Sequence, residues 1–327
     1  MTALESTCQD QWRSLVDDAS TKPGPRPALI PLPSLSVLQV EGEDAESFLQ
    51  SQLSADLRTL TPDNWIRASY CSPKGRVLAV LTLWRKKNAI LTALPTEIIG
   101  TILQRLSLYK LRSRVELSVQ HDLLVAGLAQ TCWPQWCSEQ NITPPELGQS
   151  NTDNPLGIDV LAISEQRALL CAPAKSFSAL RASIQPSLAE TDWWRACIDD
   201  QEAQVFAATQ EHFVPQMLNL DLSGAVSFRK GCYPGQEVVA RMHYLGKARQ
   251  RMLKASYQTG DSTIAAQPGQ SLRDSNGKRL GEVVLASPQV KQLLVSLRLD
   301  LLDGDVLLNT ANASIALTLD QKGLEQD

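Results

Sequence analysis

From Gln250 onward the chain changes texture, and that change narrows the folds open to it. Short β-rich runs, RMLKASY (251–257), QSLRD (270–274), RLGEVVLA (279–286), QLLVSLRL (292–299) and ASIALTL (313–319), alternate with polar turns. Asn276-Gly277 and Asp303-Gly304 are strong hairpin signals. Strands this short expose unpaired edges unless the sheet closes on itself. Residues 249–320 therefore read as a small β-barrel, with 321–327 as a tail.

Upstream the pattern is mixed. SVLQV (36–40) predicts a strand, and EDAESFLQSQLSADLRTL (43–60) a helix, with Asp44 as its cap and Leu49, Leu53 and Leu57 four apart. Two β-rich runs flank Ser72-Pro73-Lys74-Gly75, a hairpin signal. AILTAL (89–94) predicts a strand, TEIIGTILQRLSLY (96–109) a helix, and SRVELSV (113–119) a closing strand. Strand, helix, strands, helix, strand is an α+β layer with helices on one face of an antiparallel sheet, assigned to residues 34–120. DLLVAGL, IDVLAI, RALLCAP, AKSFSALRASI and TDWWRACIDDQ loosely repeat that order over 121–248. The stretch 132–157 between them reads as loop with a short helix. The proline-rich TKPGPRPALIPLP (21–33) reads as an extended arm, which makes 1–33 an N-terminal arm.

The net charge of -4 argues against general coating of nucleic acid but leaves a local basic face open. No apolar run reaches about 18 residues, so no membrane-spanning helix is expected. The acidic N-terminus lacks a charged-then-apolar leader, which points to the cytoplasm. Seven cysteines at irregular spacing do not form a secreted disulfide framework and read as free thiols. Cys132 and Cys137 have no neighbouring histidine or second pair, so no metal site is expected. His121, His212 and His243 are scattered, the last read as part of a solvated loop.

The segment FRKGCYPGQEVVAR (228–241) is the chemical focus. Tyr233-Pro234-Gly235-Gln236 fits a type II turn, with proline fixing φ and Gly235 supplying positive φ. Gly231 would let the backbone before Cys232 approach something closely. Lys230, two residues away, would favour the thiolate. Gln236 and Glu237 offer an amide and a carboxylate. From Arg229 to Lys254 the cations are Arg229, Lys230, Arg241, Lys247, Arg249, Arg251 and Lys254, against Glu237 alone. Such a segment could hold an anionic ligand tail or a phosphate backbone.

KGCYPGQEVVAR, FVPQMLNLDLSGAVSFR upstream, HYLGKARQRM downstream, and VEGEDAESFLQSQLSADL, YCSPKGRVLA and YKLRSRVEL in the first half resemble the YgfZ family of folate-binding proteins. These are relatives of the aminomethyltransferase (T-protein) of the glycine cleavage system. The resemblance runs from about residue 35 to 320, apart from 130–155. It implies two plait-like (ferredoxin-like) α+β domains and a C-terminal six-stranded β-barrel, arranged like a cloverleaf around a central folate site. It also implies tetrahydrofolate as cofactor, no metal of the chain's own, and iron–sulfur enzymes as clients, including one that thiomethylates tRNA. The motif carries over as Lys230, Gly231, Cys232, Tyr233, Gly235, Gln236 and Glu237, with Cys232 as the functional thiol. Trp194 matches the family's folate-associated tryptophan. Where the superfamily reads isoleucine-glutamate-alanine-glycine, this chain has Ile198-Asp199-Asp200-Gln201, so the pterin carboxylate becomes Asp199.

A pterin needs an aromatic face, from Trp193 or Trp194, a carboxylate, from Asp199 or Asp200, and cations for its tail, such as Arg241. Three readings follow. The first is a folate-binding assembly or repair factor for iron–sulfur enzymes, acting through Cys232 and Lys230, and a maintenance factor rather than a turnover enzyme. The others are a folate-dependent aminomethyl- or methyltransferase and a direct tRNA-binding factor.

Overall fold

The computed structural model describes residues 10–12, 28–129, 133–179, 185–186, 190–244, 246, 248–259, 265–287, 289–302, 304–309 and 314–320. The chain divides into two compact units, Met1–Ala68 with Leu81–Trp193, and Ser69–Val80 with Trp194–Asp327.

The first third supplies β1 (Ala28–Pro31), β2 (Leu35–Glu41), α1 (Ala45–Gln52), β3 (Trp65–Cys71), β4 (Val77–Lys86), β5 (Ala89–Pro95), α2 (Thr96–Leu108) and β6 (Glu116–Val119). Five of these strands form a sheet in the order β3-β4-β5-β2-β6. β2 runs antiparallel to both β5 and β6. α2 buries Ile98, Ile102 and Leu106, spaced four apart along one face, together with Ile99. Each such side chain taken fully out of water stabilises the fold by about 1.5–3 kcal/mol before entropy is counted.

The helix expected over 43–60 is shorter than its leucine spacing suggests. α1 stops at Gln52, Leu53 is extended, and a separate 3-10 turn covers Leu57–Thr59. Local polar groups account for the break. Asp56 accepts from the Arg58 N–H, and the Gln50 side chain accepts from the Leu57 N–H. Asp44 makes no side-chain cap; its carboxylate accepts from the Arg114 N–H at 2.8 Å.

The second sheet uses β7 (Leu123–Ala129), β8 (Ser150–Asn151), β9 (Asp159–Ser164), β10 (Arg167–Pro173) and β11 (Gln185–Pro186). Its helices are α3 (Trp133–Glu139), α4 (Ala174–Ala179) and α5 (Glu190–Asp199). The sheet order is β11-β1-β7-β10-β9-β8. The arm expected over 21–33 thus ends in a strand: β1 pairs antiparallel with β7, from Ala28↔Ala129 to Pro31↔Ala126. Proline falls at the last strand position, where its missing N–H removes no interior ladder bond. Residues 13–27 lie outside the described residues.

α3 brings Trp133, Trp136 and Cys137 into the core, so the 132–157 stretch contributes packing as well as connection. Cys132 lies outside the described residues. Between the sheets of this unit, Lys86 Nζ meets Asp159 Oδ1 at 2.7 Å and the Trp84 indole donates to Asp159 Oδ2 at 2.9 Å. Burial pushes the Asp159 carboxyl up, and Lys86 pulls it back.

In the second unit, β12 (Gln250–Tyr257), β13 (Ser271–Arg273), β14 (Arg279–Ser287), β15 (Gln292–Arg298), β16 (Leu307–Asn309) and β17 (Ser314–Asp320) close into a barrel. Its order is β12-β15-β14-β13-β16-β17. Leu253, Ala255 and Tyr257 alternate into its core with Val283, Leu293, Val295 and Leu297. Gly277 takes φ +80° in the predicted turn and donates to the Asp274 carbonyl at 3.0 Å. Asp303 lies outside the described residues. Among the described residues no helix is long and apolar enough to cross a membrane, and no three His, Cys, Asp or Glu side chains group closely enough to hold a metal ion.

Candidate functional site

Cys232 is exposed, whereas Cys71, Cys137, Cys171 and Cys197 are buried. Immediately after it the backbone makes the predicted turn. The Gln236 N–H donates to the Tyr233 carbonyl at 3.1 Å, and Gly235 takes φ +81°. Helix α6 (Gln236–Tyr244) starts from that turn.

The close approach occurs at the other glycine from the one the sequence suggested. A Cβ at Gly231 would stand in open space. A Cβ at Gly235 would lie 2.5 Å from Gly75 Cα and 2.5 Å from the Ser72 carbonyl oxygen. The hairpin turn Ser72–Gly75 therefore packs directly on the turn that follows the thiol. That hairpin is itself closed by Gly75 N–H donating to Ser72 O at 2.8 Å, with Gly75 at φ +71°. A Cβ on Gly75 would in turn meet Val238 of α6.

Tyr233 is buried beneath the loop, and the Lys230 ammonium, also buried, lies 5.4 Å from its ring centroid. Such an arrangement is a cation–π contact. Burial pushes the Tyr233 phenol up, with a further push from Cys71. The Tyr233 hydroxyl and the Ser72 hydroxyl are both buried without a hydrogen-bond partner. Two such hydroxyls, on the two turns that cross at Gly75 and Gly235, could accept from or donate to a polar heterocycle.

Glu237 and Arg241 pair with each other at 2.8 Å along the exposed face of α6. The basic segment is not a uniform free face. Arg251 is buried and reaches both carboxylate oxygens of Asp221 at 2.7 and 2.9 Å. Lys254 pairs with Asp199. Acids from outside the 229–254 window thus neutralise cations inside it. Lys247 lies outside the described residues. His243 is not in a loop: it sits in the last turn of α6, stacked on Phe228 at 3.7 Å with the rings 9° apart.

On α5, Trp194 is half-buried and meets Phe206 edge-on at 5.5 Å. Trp193 is core: its ring covers Gly127, and the Arg167 guanidinium lies 4.8 Å from its centroid. Trp194 and Asp199, five residues apart, are separated by roughly 140° around the helix axis. Asp199 and Asp200 are exposed at the helix end. Gln201 follows in a left-handed conformation, φ 54°. Its N–H donates to Ile198 O at 3.1 Å, and Glu202 N–H donates to Cys197 O at 2.8 Å. Those two bonds are a Schellman motif, in which the left-handed position favours glycine.

Gln216, Asn219 and Asp221, in a stretch that carries part of the resemblance, have structural roles that no local motif signals. Gln216 is buried and its side chain donates to the Val239 carbonyl of α6 at 2.7 Å, while its backbone carbonyl accepts from Arg251. The Asn219 side chain bonds both the N–H and the carbonyl of Met252. This segment ties the helix after the thiol to strand β12. The polar letters in VPQMLNLD were the available signal.

No family model matches the chain. Among curated proteins it is 29% identical over 263 residues to the tRNA-modifying protein YgfZ of Colwellia psychrerythraea, covering 76% of this chain and 79% of that one. It is 27% identical over 227 residues to the protein of the same name from Vibrio atlanticus, covering 69% and 68%. Among solved structures, aminomethyltransferase T of the glycine cleavage system from Bartonella henselae superposes with a TM-score of 0.69 at 13% identity, over 90% of this chain and 85% of that one. At that identity the likeness concerns the fold.

Proposed function

We propose that the chain, which is similar to YgfZ proteins over most of its length and has an aminomethyltransferase-like fold, binds tetrahydrofolate and supports iron–sulfur enzymes, including tRNA-thiomethylating ones, through Cys232. One observation carries the reading: among the described residues, the one exposed thiol stands on a turn held by glycine-to-glycine packing. A thiol kept only for packing would be buried, as Cys71, Cys137, Cys171 and Cys197 are.

Tetrahydrofolate, when bound, supplies ring nitrogens that carry one-carbon units. Trp194 would offer the aromatic face, and Asp199, from a different face of α5, would reach the pterin edge at the helix end after exchanging Lys254 for it. Tyr233, Gln236, Glu237 and Arg241 would line the approach, with Gly231 and Gly235 shaping the loop. Lys230 would act with Cys232, keeping positive charge beneath the thiol's turn. The chemical modification of tRNA in the relatives' name would then belong to the client enzyme, in the cytoplasm.

The test is a titration with tetrahydrofolate followed by tryptophan fluorescence. Saturable binding that Asp199→Ala weakens and Cys232→Ala spares is expected. Absence of binding to the wild type would remove the folate reading. The transferase fold supports a second reading, folate-dependent aminomethyl transfer. Turnover of an amine donor that depends on folate and survives Cys232→Ala would favour it.

A further inference from the structure

Two cavities of the second unit share part of their lining. The first, about 600 Å³, is lined by Arg241, Met242, Arg249 and Arg298 among others. The second, about 420 Å³, is lined by Arg76, His212, Arg279, Glu282 and again Arg298. Met217 and Gln250 also belong to both, so the two form one groove. Five arginines face it, Arg76, Arg241, Arg249, Arg279 and Arg298, against one lining carboxylate, Glu282. In a chain of net charge -4 that is a strong local concentration of positive charge. Arg241 and Arg298 pair with Glu237 and Asp300 in exposed contacts, which contribute little and can be exchanged for phosphate oxygens; Arg279, itself exposed, pairs at 3.2 Å with the buried carboxylate of Glu282, which leaves its other donors to face the groove. Guanidinium forks match phosphate geometry.

Just past Arg241, the end of α6 takes part in an aromatic stack. Phe228 lies flat against His243, and Tyr244 meets His243 edge-on at 4.8 Å. Tyr244 is 67% exposed. Arg241 and Tyr244, three apart on α6, share a helix face. A string of carboxylates would use the arginines and leave the rings idle. A duplex keeps its base faces covered. Cations tracking a groove beside exposed rings suit an unpaired polynucleotide, with bases on the rings and phosphates on the arginines.

We propose that this groove binds an unpaired RNA strand directly, with Tyr244 and His243 as the stacking platform and Arg249, Arg298, Arg279 and Arg76 along the backbone. The choice of RNA over DNA rests on the tRNA-linked reading above; the groove itself does not depend on folate.

The experiment is fluorescence anisotropy of the full chain, without folate, using a fluorescein-labelled unstructured RNA of a dozen nucleotides, its duplex, and the DNA strand of the same sequence. The single-stranded RNA should bind with strong salt dependence and more tightly than the duplex. Tyr244→Ala should weaken it roughly tenfold. Arg249→Gln should weaken it and flatten the salt slope, with Arg249→Lys recovering part. Both side chains are exposed, and circular dichroism would verify folding. Undetectable binding at low salt, equal affinity for duplex, or indifference to Tyr244→Ala would overturn the proposal. Equal or tighter binding of the DNA strand would overturn the assignment to RNA. A failed folate titration would leave these measurements untouched, so the two readings fail separately.

Discussion

Gly235 and Gly75 face each other so closely that a single added methyl on Gly235 would fall 2.5 Å from Gly75 Cα. The neighbouring atoms are backbone, which cannot swing aside, and Gly235 also holds φ +81°. Gly235→Ala should therefore destabilise the protein by about 2–4 kcal/mol and displace the Cys232 turn. Gly231→Ala, into open space, should cost under about 1 kcal/mol. Thermal melts of the two variants side by side test the contrast; equal losses would reject it.

Thiol reactivity should divide the cysteines in the same protein. Brief iodoacetamide treatment of the native chain, read by peptide mapping, should alkylate Cys232 and spare Cys71, Cys137, Cys171 and Cys197, which are buried. Label on Cys71 at a rate matching Cys232 would contradict the packing described.

Alkaline stability follows from the same burial. Burial pushes the Cys71 and Cys137 thiols up to about 12. In the unfolded chain a thiol ionises near pH ~8.5. Between those values the unfolded state sheds a proton that the folded state keeps. The stability these thiols contribute is thus whole below pH ~8.5 and lost as the pH rises towards about 12. A Cys71→Val variant should show a shallower loss of melting temperature over that range than the wild type. Parallel curves would argue against the thiol.

Gln201 occupies a position whose hydrogen bonds belong to a glycine-ended helix. Gln201→Gly should stabilise the chain by about 0.5–1 kcal/mol, since glycine carries no Cβ penalty at positive φ. A drop in melting temperature would mean that the glutamine side chain has a role of its own.

Arg251 and Asp221 are both nearly sealed from solvent, with side chains 9% and 7% exposed. Asp221→Ala alone should cost about 3–5 kcal/mol by leaving a buried guanidinium without its carboxylate. Replacing both residues with leucine and methionine should recover a good part of that loss. A double variant as unstable as the single would show that the pair's worth lies elsewhere, for instance in the Gln216 carbonyl that Arg251 also holds.

Local chemistry was legible in the letters. Proline then glycine announced the turn at Tyr233–Gln236, Ser72–Gly75 announced the hairpin, and the short runs after Gln250 announced a closed barrel, because each signal and its structural consequence lie within a few residues. Pairings across long separations were not legible. β1 looked like an arm because nothing near Ala28 shows that it pairs with Ala129. The run 229–254 looked uniformly basic because Asp199 and Asp221 neutralise it from outside the counted window. Leucines four apart suggested one helix to residue 60, yet the Asp56 and Gln50 side chains offered the backbone a better local alternative at residue 57.

The hairpin tip Ser69–Val80 groups with the unit that otherwise begins at Trp194. That unit is discontinuous in the chain, so no single cut releases it whole. A fragment starting at Trp194 keeps Cys232 but loses Ser72 and Gly75, the surface against which its turn is shaped. On the ribosome the tip emerges more than a hundred residues before Gly235, and the thiol loop takes its final form only after both have left the exit tunnel. Supplying the hairpin as a separate peptide to such a fragment would be the direct way to restore the loop.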